Sequence, residues 1–220
     1  MTKTEQDKSS KRTAKLWDRF ADGYSKSPIK DEASYQKKLQ VTQSYFKPSD
    51  SVVEIGCGTG GTSILHSTHV RQILATDISS KMLDIAKAKA AEGGVTNVEF
   101  RQASVESLAL PNSSQDVVLG LSILHLLPNK VGAMKKVHSW LKPGGLFVTS
   151  TVCAGDMGAS TKLFLKTLIP MAQFLGVIPN FYAFTRDELR DSFDKAGFDI
   201  EYEWKPDRQD AAVFIIGKKR

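Results

Sequence analysis

Short apolar runs alternate along the chain with stretches whose apolar residues recur every three or four positions. Such alternation predicts βαβ units and a parallel sheet. Ser51 to Ile55 reads as a first buried strand that runs into glycines. Gln72 to Thr76 reads as the second, with Asp77 at its end, and Asn97 to Gln102 alternates as a third. Asp116 to Leu121 is a fourth and Gly145 to Val152 a fifth. Between them, Met82, Ile85 and Ala86 form one helical stripe, with Ser79 or Ser80 as N-cap. Val131, Met134, Val137 and Leu141 form another, stopped by Pro143 and Gly144–Gly145.

The C-terminal end breaks the alternation. Thr185 to Ala196 reads as a helix capped by Thr185. Phe198 to Trp204 and Ala211 to Ile216 read as strands, and Lys205 to Asp210 between them is too short for a crossover helix. The two should pair as an antiparallel hairpin. Two further segments are candidates to cover a site. Trp17 to Phe46 predicts two lid helices that break at Ser27-Pro28-Ile29-Lys30-Asp31. Residues 154–184 are an inserted cap rich in apolar side chains, among them Leu163, Phe164, Leu168, Met171, Phe174 and Phe181. Core packing and an apolar acceptor pocket are both open readings of that cap. It is too short for a membrane span, and Lys166 and Pro170 interrupt it.

Composition adds little to the fold and more to the partners. The length of 220 residues suits a single domain, 1–220, with 41% hydrophobic and 25% charged residues typical of globular proteins. The net charge of +6 is concentrated at the ends: residues 1–15, a basic flexible tail, carry +3, and Lys218, Lys219 and Arg220 carry +3. Residues 16–217 hold 22 charges of each sign. A neutral body argues against a nucleic-acid partner, which needs a basic surface beside its site. The basic ends are compatible with weak peripheral contact with an anionic membrane. Met1 to Lys15 has no apolar core of a secretory signal. Cys57 and Cys153 are far apart and fit no metal spacing, so no metal is expected and a reducing, cytoplasmic location is.

The first strand ends in Glu54-Ile55-Gly56-Cys57-Gly58-Thr59-Gly60-Gly61. Glycines allow close backbone approach to a ligand, and a loop at this place in an α/β sheet holds a nucleotide-like cofactor. Gly56, Gly58 and Gly61 also satisfy the Gly-x-Gly-x-x-Gly of dinucleotide enzymes, so the loop alone leaves both cofactor classes open. Asp77 ends the second strand, where a carboxylate accepts hydrogen bonds from ribose hydroxyls in either class.

Glu54 to Gly60, Asp77-Ile78-Ser79, Met82-Leu83, Asp116-Val117-Val118 and Leu141-Lys142-Pro143-Gly144-Gly145 occur in order. The set resembles the motifs of class I S-adenosylmethionine-dependent methyltransferases, and most the type 11 and ubiquinone/menaquinone-biosynthesis-like branch, over residues 17–217. Trp17, Phe20, Ala21 and Tyr24 resemble that branch's N-terminal helix. The resemblance implies an α/β, Rossmann-like three-layer sandwich. Its seven-stranded, mostly parallel sheet would have the order 3-2-1-4-5-7-6 with the last strand antiparallel.

The resemblance also implies roles. Glu54 and the backbone of Gly56, Cys57, Gly58, Thr59 and Gly60 would hold the methionine part of S-adenosylmethionine. Asp77 would bind the ribose, and Ile78 and Met82 would sandwich the adenine. Ser104 and Val105 would face the adenine edge, with Ser104 standing where many relatives have an aspartate. Leu121 would pack near the methionine chain.

The sulfonium is already an activated methyl donor, so the protein must orient an acceptor for in-line attack, with S-adenosylhomocysteine as product. His125, just past the fourth strand, is the candidate general base, and ordering of its loop is the alternative. Tyr24, Tyr35, His125 and Cys153 are candidate acceptor-pocket residues. For Cys57 and Cys153 a packing role outweighs a nucleophilic one. His66, His69 and His138 read as surface or packing residues. The Asn/Asp-Pro-Pro-Tyr/Phe tetrapeptide of amino-methylating enzymes is missing after the fourth strand, where Leu121-Ser122-Ile123-Leu124-His125 stands. A small, partly apolar metabolite is the expected acceptor. A nicotinamide-dependent oxidoreductase and a non-catalytic cofactor-binding scaffold are the alternatives. The first lacks the Tyr-x-x-x-Lys pair of short-chain dehydrogenases, since no tyrosine has a lysine four residues on.

Overall fold

A computed structural model of the chain describes residues 3–158, 173, 178–207 and 212–220, with side chains from residue 10 onward. Two compact units divide it, residues 1–108 and 109–220. Its seven strands lie in one sheet in the order β3-β2-β1-β4-β5-β7-β6, the expected Rossmann-like order.

The first unit contains α1(Lys3–Lys26), α2(Glu32–Tyr45), β1(Ser51–Ile55), α3(Gly61–His66), β2(Gln72–Asp77), α4(Ser80–Glu92) and β3(Val98–Gln102). β1 pairs in parallel with β2, and β2 with β3. All five residues of β1 are buried, as a strand covered on both faces requires. α4 turns Met82, Leu83, Ala86 and Ala90 inward and packs on β2 and β3, and α1 packs on α4. Ser79, rather than Ser80, is the cap of α4: its hydroxyl accepts from the Met82 amide at 3.1 Å. α1 begins at Lys3, so the stretch 1–15 is helical from there onward, where sequence predicts a flexible tail. Lys3 to Lys15 has no proline or glycine and is rich in good helix formers. The break at residues 27–31 is as predicted, and Asp31 starts α2 by accepting from the Ser34 amide at 3.1 Å.

The second unit contains β4(Gln115–Leu121), α5(Lys130–Trp140), β5(Leu141–Thr151), α6(Arg186–Lys195), β6(Phe198–Trp204) and β7(Val213–Lys219). β4 and β5 are parallel, and β7 runs against both β5 and β6, which confirms the predicted hairpin. Sequence places Leu141 at the end of the helix and starts the strand at Gly145; the structure starts the strand at Leu141. Gln115 pairs with Leu141 and the register then jumps to Val117 with Leu146. The glycines after Pro143 make that irregularity, with Gly144 at φ 73°. β7 starts at Val213; the predicted start at Ala211 lies outside the described residues. α6 carries a full capping box between Thr185 and Glu188. The core under it is aromatic: the rings of Phe147, Phe193 and Phe198 lie 5.6–5.9 Å apart. Each such buried ring contributes about 2–3 kcal/mol.

Candidate active site

In the first unit the chain leaves β1 through three glycines with positive φ: Gly56 at 70°, Gly58 at 53° and Gly60 at 75°. L side chains rarely adopt this region, which explains the glycines. Gly60 is also tightly enclosed, since a Cβ there would stand 2.7 Å from Ala86 Cβ and 2.9 Å from Phe100 Cε1. Gly61 is exposed, and a Cβ on it would meet nothing within 4 Å. In a dinucleotide loop the last glycine of Gly-x-Gly-x-x-Gly provides close helix–strand packing. Gly61 does not, so the working pattern here is Gly56, Gly58 and Gly60. Three amides of the loop are engaged within the unit: Cys57 donates to the Thr76 carbonyl, Gly60 to the Cys57 carbonyl and Gly58 to Asp77. Thr59 accepts from Lys89 Nζ at 3.2 Å.

Asp77 ties this loop to the next turn. Its Oδ2 accepts from the Gly58 amide and its Oδ1 from the Ser79 amide, both at 2.9 Å. Burial raises its pKa, against the lowering effect of these two amides, and the charge of Asp18 adds to the rise. The Ile78 amide also lowers the Asp77 pKa, and with about four lone-pair sites the carboxylate can still take a further donor. Glu54, at the end of β1, is 3% exposed and accepts from the Ser63 hydroxyl in the first turn of α3. Burial pushes its pKa up to about 7, with the Ser63 hydrogen bond opposing and the charge of Asp77 assisting.

The tyrosines of the N-terminal helices gather at the same place. A Cβ on Gly58 would stand 3.6 Å from Tyr24 Cε1. Tyr24 is 54% exposed as a residue, yet its hydroxyl has lost enough hydration to raise its pKa, and the charges of Asp77 and Glu54 raise it further. Tyr35 shares a 3.3 Å hydrogen bond with the Thr62 hydroxyl. Burial pushes the Cys57 thiol well above its ordinary value, with Glu54 and Asp77 adding to it, so it remains an unreactive thiol. Ile78 is half-buried, and its carbonyl accepts from Gln102 Nε2 at 2.9 Å. Met82 is only 2% exposed. Ser104 and Ser107 cap one another, each hydroxyl accepting the other's amide, at 3.0 and 3.1 Å, and Val105 is buried behind them.

The second unit places the remaining predicted residues. Leu121 ends β4 half-buried. Ser122 follows at φ 59°, its amide bonded to the Ser150 carbonyl at 2.7 Å, and the chain enters a 3₁₀ turn over 124–126. His125 sits in that turn. Its ring lies 5.3 Å from that of Phe181, and its carbonyl accepts from the Tyr182 amide at 2.7 Å. Burial lowers its pKa to about 4, and among the described residues its Nδ1 has no hydrogen-bond partner. Cys153 is buried, and burial first, then the charge of Asp156, pushes its thiol up to about 12. Of the predicted apolar cap, residues 154–158, 173 and 178–184 are described. Phe184 is buried, and the Gly155 amide donates to its carbonyl at 2.9 Å. Leu163, Phe164, Leu168, Met171 and Phe174 lie outside the described residues.

Sequence missed Asp18, Thr62 and Ser63. Asp18 carried a signal, as the neighbour of Trp17 in the N-terminal pattern; for the others no spacing points from a short polar side chain to its partner. Of the predicted packing histidines, His66 is buried, its ring edge-on to Phe46 at 5.0 Å, and the ring of His138 stands edge-on to Phe198 at 5.3 Å.

The chemistry of this donor set decides what it fits. Two carboxylates flank the loop in the first unit: Glu54 in β1, bonded to Ser63 in the first turn of α3, and Asp77 at the end of β2. A dinucleotide would bring its diphosphate to that helix start, where Glu54 would repel it. An adenosyl amino acid brings a ribose diol and an ammonium, both donors that match two acceptors.

Residues 52–145 match the family model described as "Methyltransferase domain". An uncharacterized methyltransferase of Bacillus subtilis (strain 168), YcgJ, is 30% identical over 110 residues, 50% of this chain and 44% of that protein. A ubiquinone biosynthesis O-methyltransferase of Leptothrix cholodnii is 28% identical over 129 residues, 58% of this chain and 53% of that protein. The chain thus spans about half the length of the curated relatives it matches. Among solved structures, Bacillus subtilis YcgJ superposes with a TM-score of 0.70 at 19% identity, over 84% of this chain and 99% of that one. Geranyl diphosphate C-methyltransferase of Streptomyces coelicolor A3(2) superposes with a TM-score of 0.69 at 14% identity, over 86% of this chain and 79% of that one. Residues 52–145 are thus similar to a methyltransferase domain, and the sheet order agrees with the fold of these solved methyltransferase structures.

Proposed function

We propose that the chain is an S-adenosylmethionine-dependent methyltransferase that transfers a methyl group to a small acceptor of partly apolar character and releases S-adenosylhomocysteine. The observation that carries this reading is the pair of strand-end carboxylates, Glu54 and Asp77, set about a loop whose close glycine is Gly60 rather than Gly61. When bound, the cofactor supplies a methyl group already activated by its sulfonium. Asp77 accepts the ribose hydroxyls on its remaining lone pairs while its amide bonds hold it in place. Glu54 accepts the ammonium, which also favours its ionised form. Ile78 and Met82 border the adenine, and Ser104 and Val105 its edge. Leu121 is assigned to the methionine chain by resemblance.

Tyr24 and Tyr35 in the first unit, and His125 and Cys153 in the second, are the residues proposed to contact the acceptor. His125 is neutral at physiological pH, so an imidazole nitrogen is available to receive a proton if the acceptor carries one. The relatives named for ubiquinone biosynthesis support a small-molecule acceptor. No helix among the described residues is long and apolar enough to cross a membrane. A cytoplasmic location with weak contact to anionic membranes fits the lone thiols and basic ends.

Calorimetry with S-adenosylhomocysteine, S-adenosylmethionine and NAD tests the reading. The first two should bind and NAD should not. Incubation with S-adenosylmethionine and a small-molecule extract should then yield S-adenosylhomocysteine. Binding of NAD alone would defeat the proposal, and cofactor binding without turnover on any extract would leave a scaffold.

A further inference from the structure

Asp18, on the outer helix α1, reaches α4 across 61 positions of sequence. One of its oxygens, Oδ1, accepts from the Ser79 hydroxyl at 2.6 Å and from the Lys81 amide at 3.2 Å. Ser79 is the N-cap of α4, its hydroxyl oxygen accepting the Met82 amide, and its own amide donates to Asp77. Asp77 in turn holds the Gly58 amide. A continuous run of hydrogen bonds therefore joins α1 to the glycine loop: Asp18, Ser79, Asp77, Gly58. Six residues beyond Asp18 on the same helix, Tyr24 lies against that loop. The orphan amides at the start of α4 attract a carboxylate, and here another helix supplies it. On α1 itself, Leu16 and Ala21 are buried while Phe20 and Tyr24 are exposed.

We infer that Asp18 is a positioning residue, a latch that fastens α1 to the start of α4 and so holds Tyr24 over the glycine loop and Asp77 in its binding orientation. This rests on the cofactor reading above for its consequence, though not for the latch itself. Releasing the latch frees the lid helix, exposes the loop to water and shortens the residence of the cofactor.

Two variants separate the contributions. Asp18→Ala removes the acceptor; Asp18→Asn keeps an oxygen that can still accept from Ser79 and Lys81. Amide hydrogen exchange over residues 10–26, measured without ligand, should speed up about tenfold in Asp18→Ala, with Asp18→Asn much closer to the parent. S-adenosylhomocysteine should bind Asp18→Ala about tenfold more weakly, mainly through faster dissociation, with Asp18→Asn restoring most of the affinity. Parent-like exchange in a folded Asp18→Ala protein overturns the latch. Faster exchange with parental affinity overturns the positioning role. A parent protein that does not bind S-adenosylhomocysteine overturns the cofactor reading alone, because the exchange experiment still judges the latch.

Discussion

Ser63 donates its hydroxyl hydrogen to the Glu54 carboxylate, joining the first turn of α3 to the end of β1 inside the core. That one hydrogen bond does not offset the burial of a charge, and the pKa of Glu54 is lifted from 4.5 to about 7. In the unfolded chain the group ionises near its ordinary value. The folded state therefore binds more protons between pH 4.5 and 7, and stability is lost as pH rises through that window. The shift corresponds to about 3 kcal/mol. Glu54→Gln cannot ionise and still offers Ser63 an oxygen. Between pH 5 and 8 the Glu54 contribution should lower the Tm of the parent by about 6–12 °C, and the variant should lack that fall. Thermal melts across this range check it, and parallel curves for the two proteins would refute it.

Gly60 and Gly61 are neighbours with opposite expectations. Ala at 60 must adopt φ 75° and place its Cβ 2.7 Å from Ala86. Left-handed strain costs about 1–2 kcal/mol and crowding about 1–3 kcal/mol. Gly60→Ala should lose about 2–4 kcal/mol in urea unfolding and most of its affinity for S-adenosylhomocysteine. Ala at 61 enters open space at the first position of α3 and should be neutral or stabilising by up to about 1 kcal/mol. Were Gly61→Ala the more damaging of the two, the dinucleotide pattern would regain its standing.

Much of the scaffold was legible because its causes are local. The buried run Ser51 to Ile55 and the cap at Thr185 follow from residues within one element. The hairpin of Phe198 to Trp204 with the last strand followed from a connection too short to cross over. The strand start at Leu141 was not legible, because it depends on pairing with Gln115 across a register jump. The glycine loop and Asp77 were visible as motifs, but their mutual bond was not, since 19 positions separate Gly58 from Asp77. Which overlapping glycine pattern operates needed the position of Phe100, a residue on another strand. Asp18 and Ser63 act through partners that periodicity does not encode.

His125 offers the sharpest test of catalysis, because burial moves its pKa to about 4 and so removes the usual histidine signature. An imidazole that titrated near 6.5 would give a rate falling below neutral pH. Here the ring stays neutral down to about pH 4, so turnover should show no histidine limb between pH 5.5 and 8. The cost of the low pKa is a weaker base, which suits an acceptor whose proton is lost as the new bond forms rather than before it. His125→Ala should lower kcat by about 10²–10⁴-fold while the Kd for S-adenosylhomocysteine changes less than about threefold. His125→Gln, which retains a polar side chain without a titrating nitrogen, should not restore the rate. Measured on an identified acceptor, equal kcat for parent and Ala variant would reduce His125 to a loop-ordering residue held by Phe181 and Tyr182. A rate limb near pH 6.5 that vanishes in the Ala variant would retain His125 as the base but show that its ring is more hydrated than its burial implies.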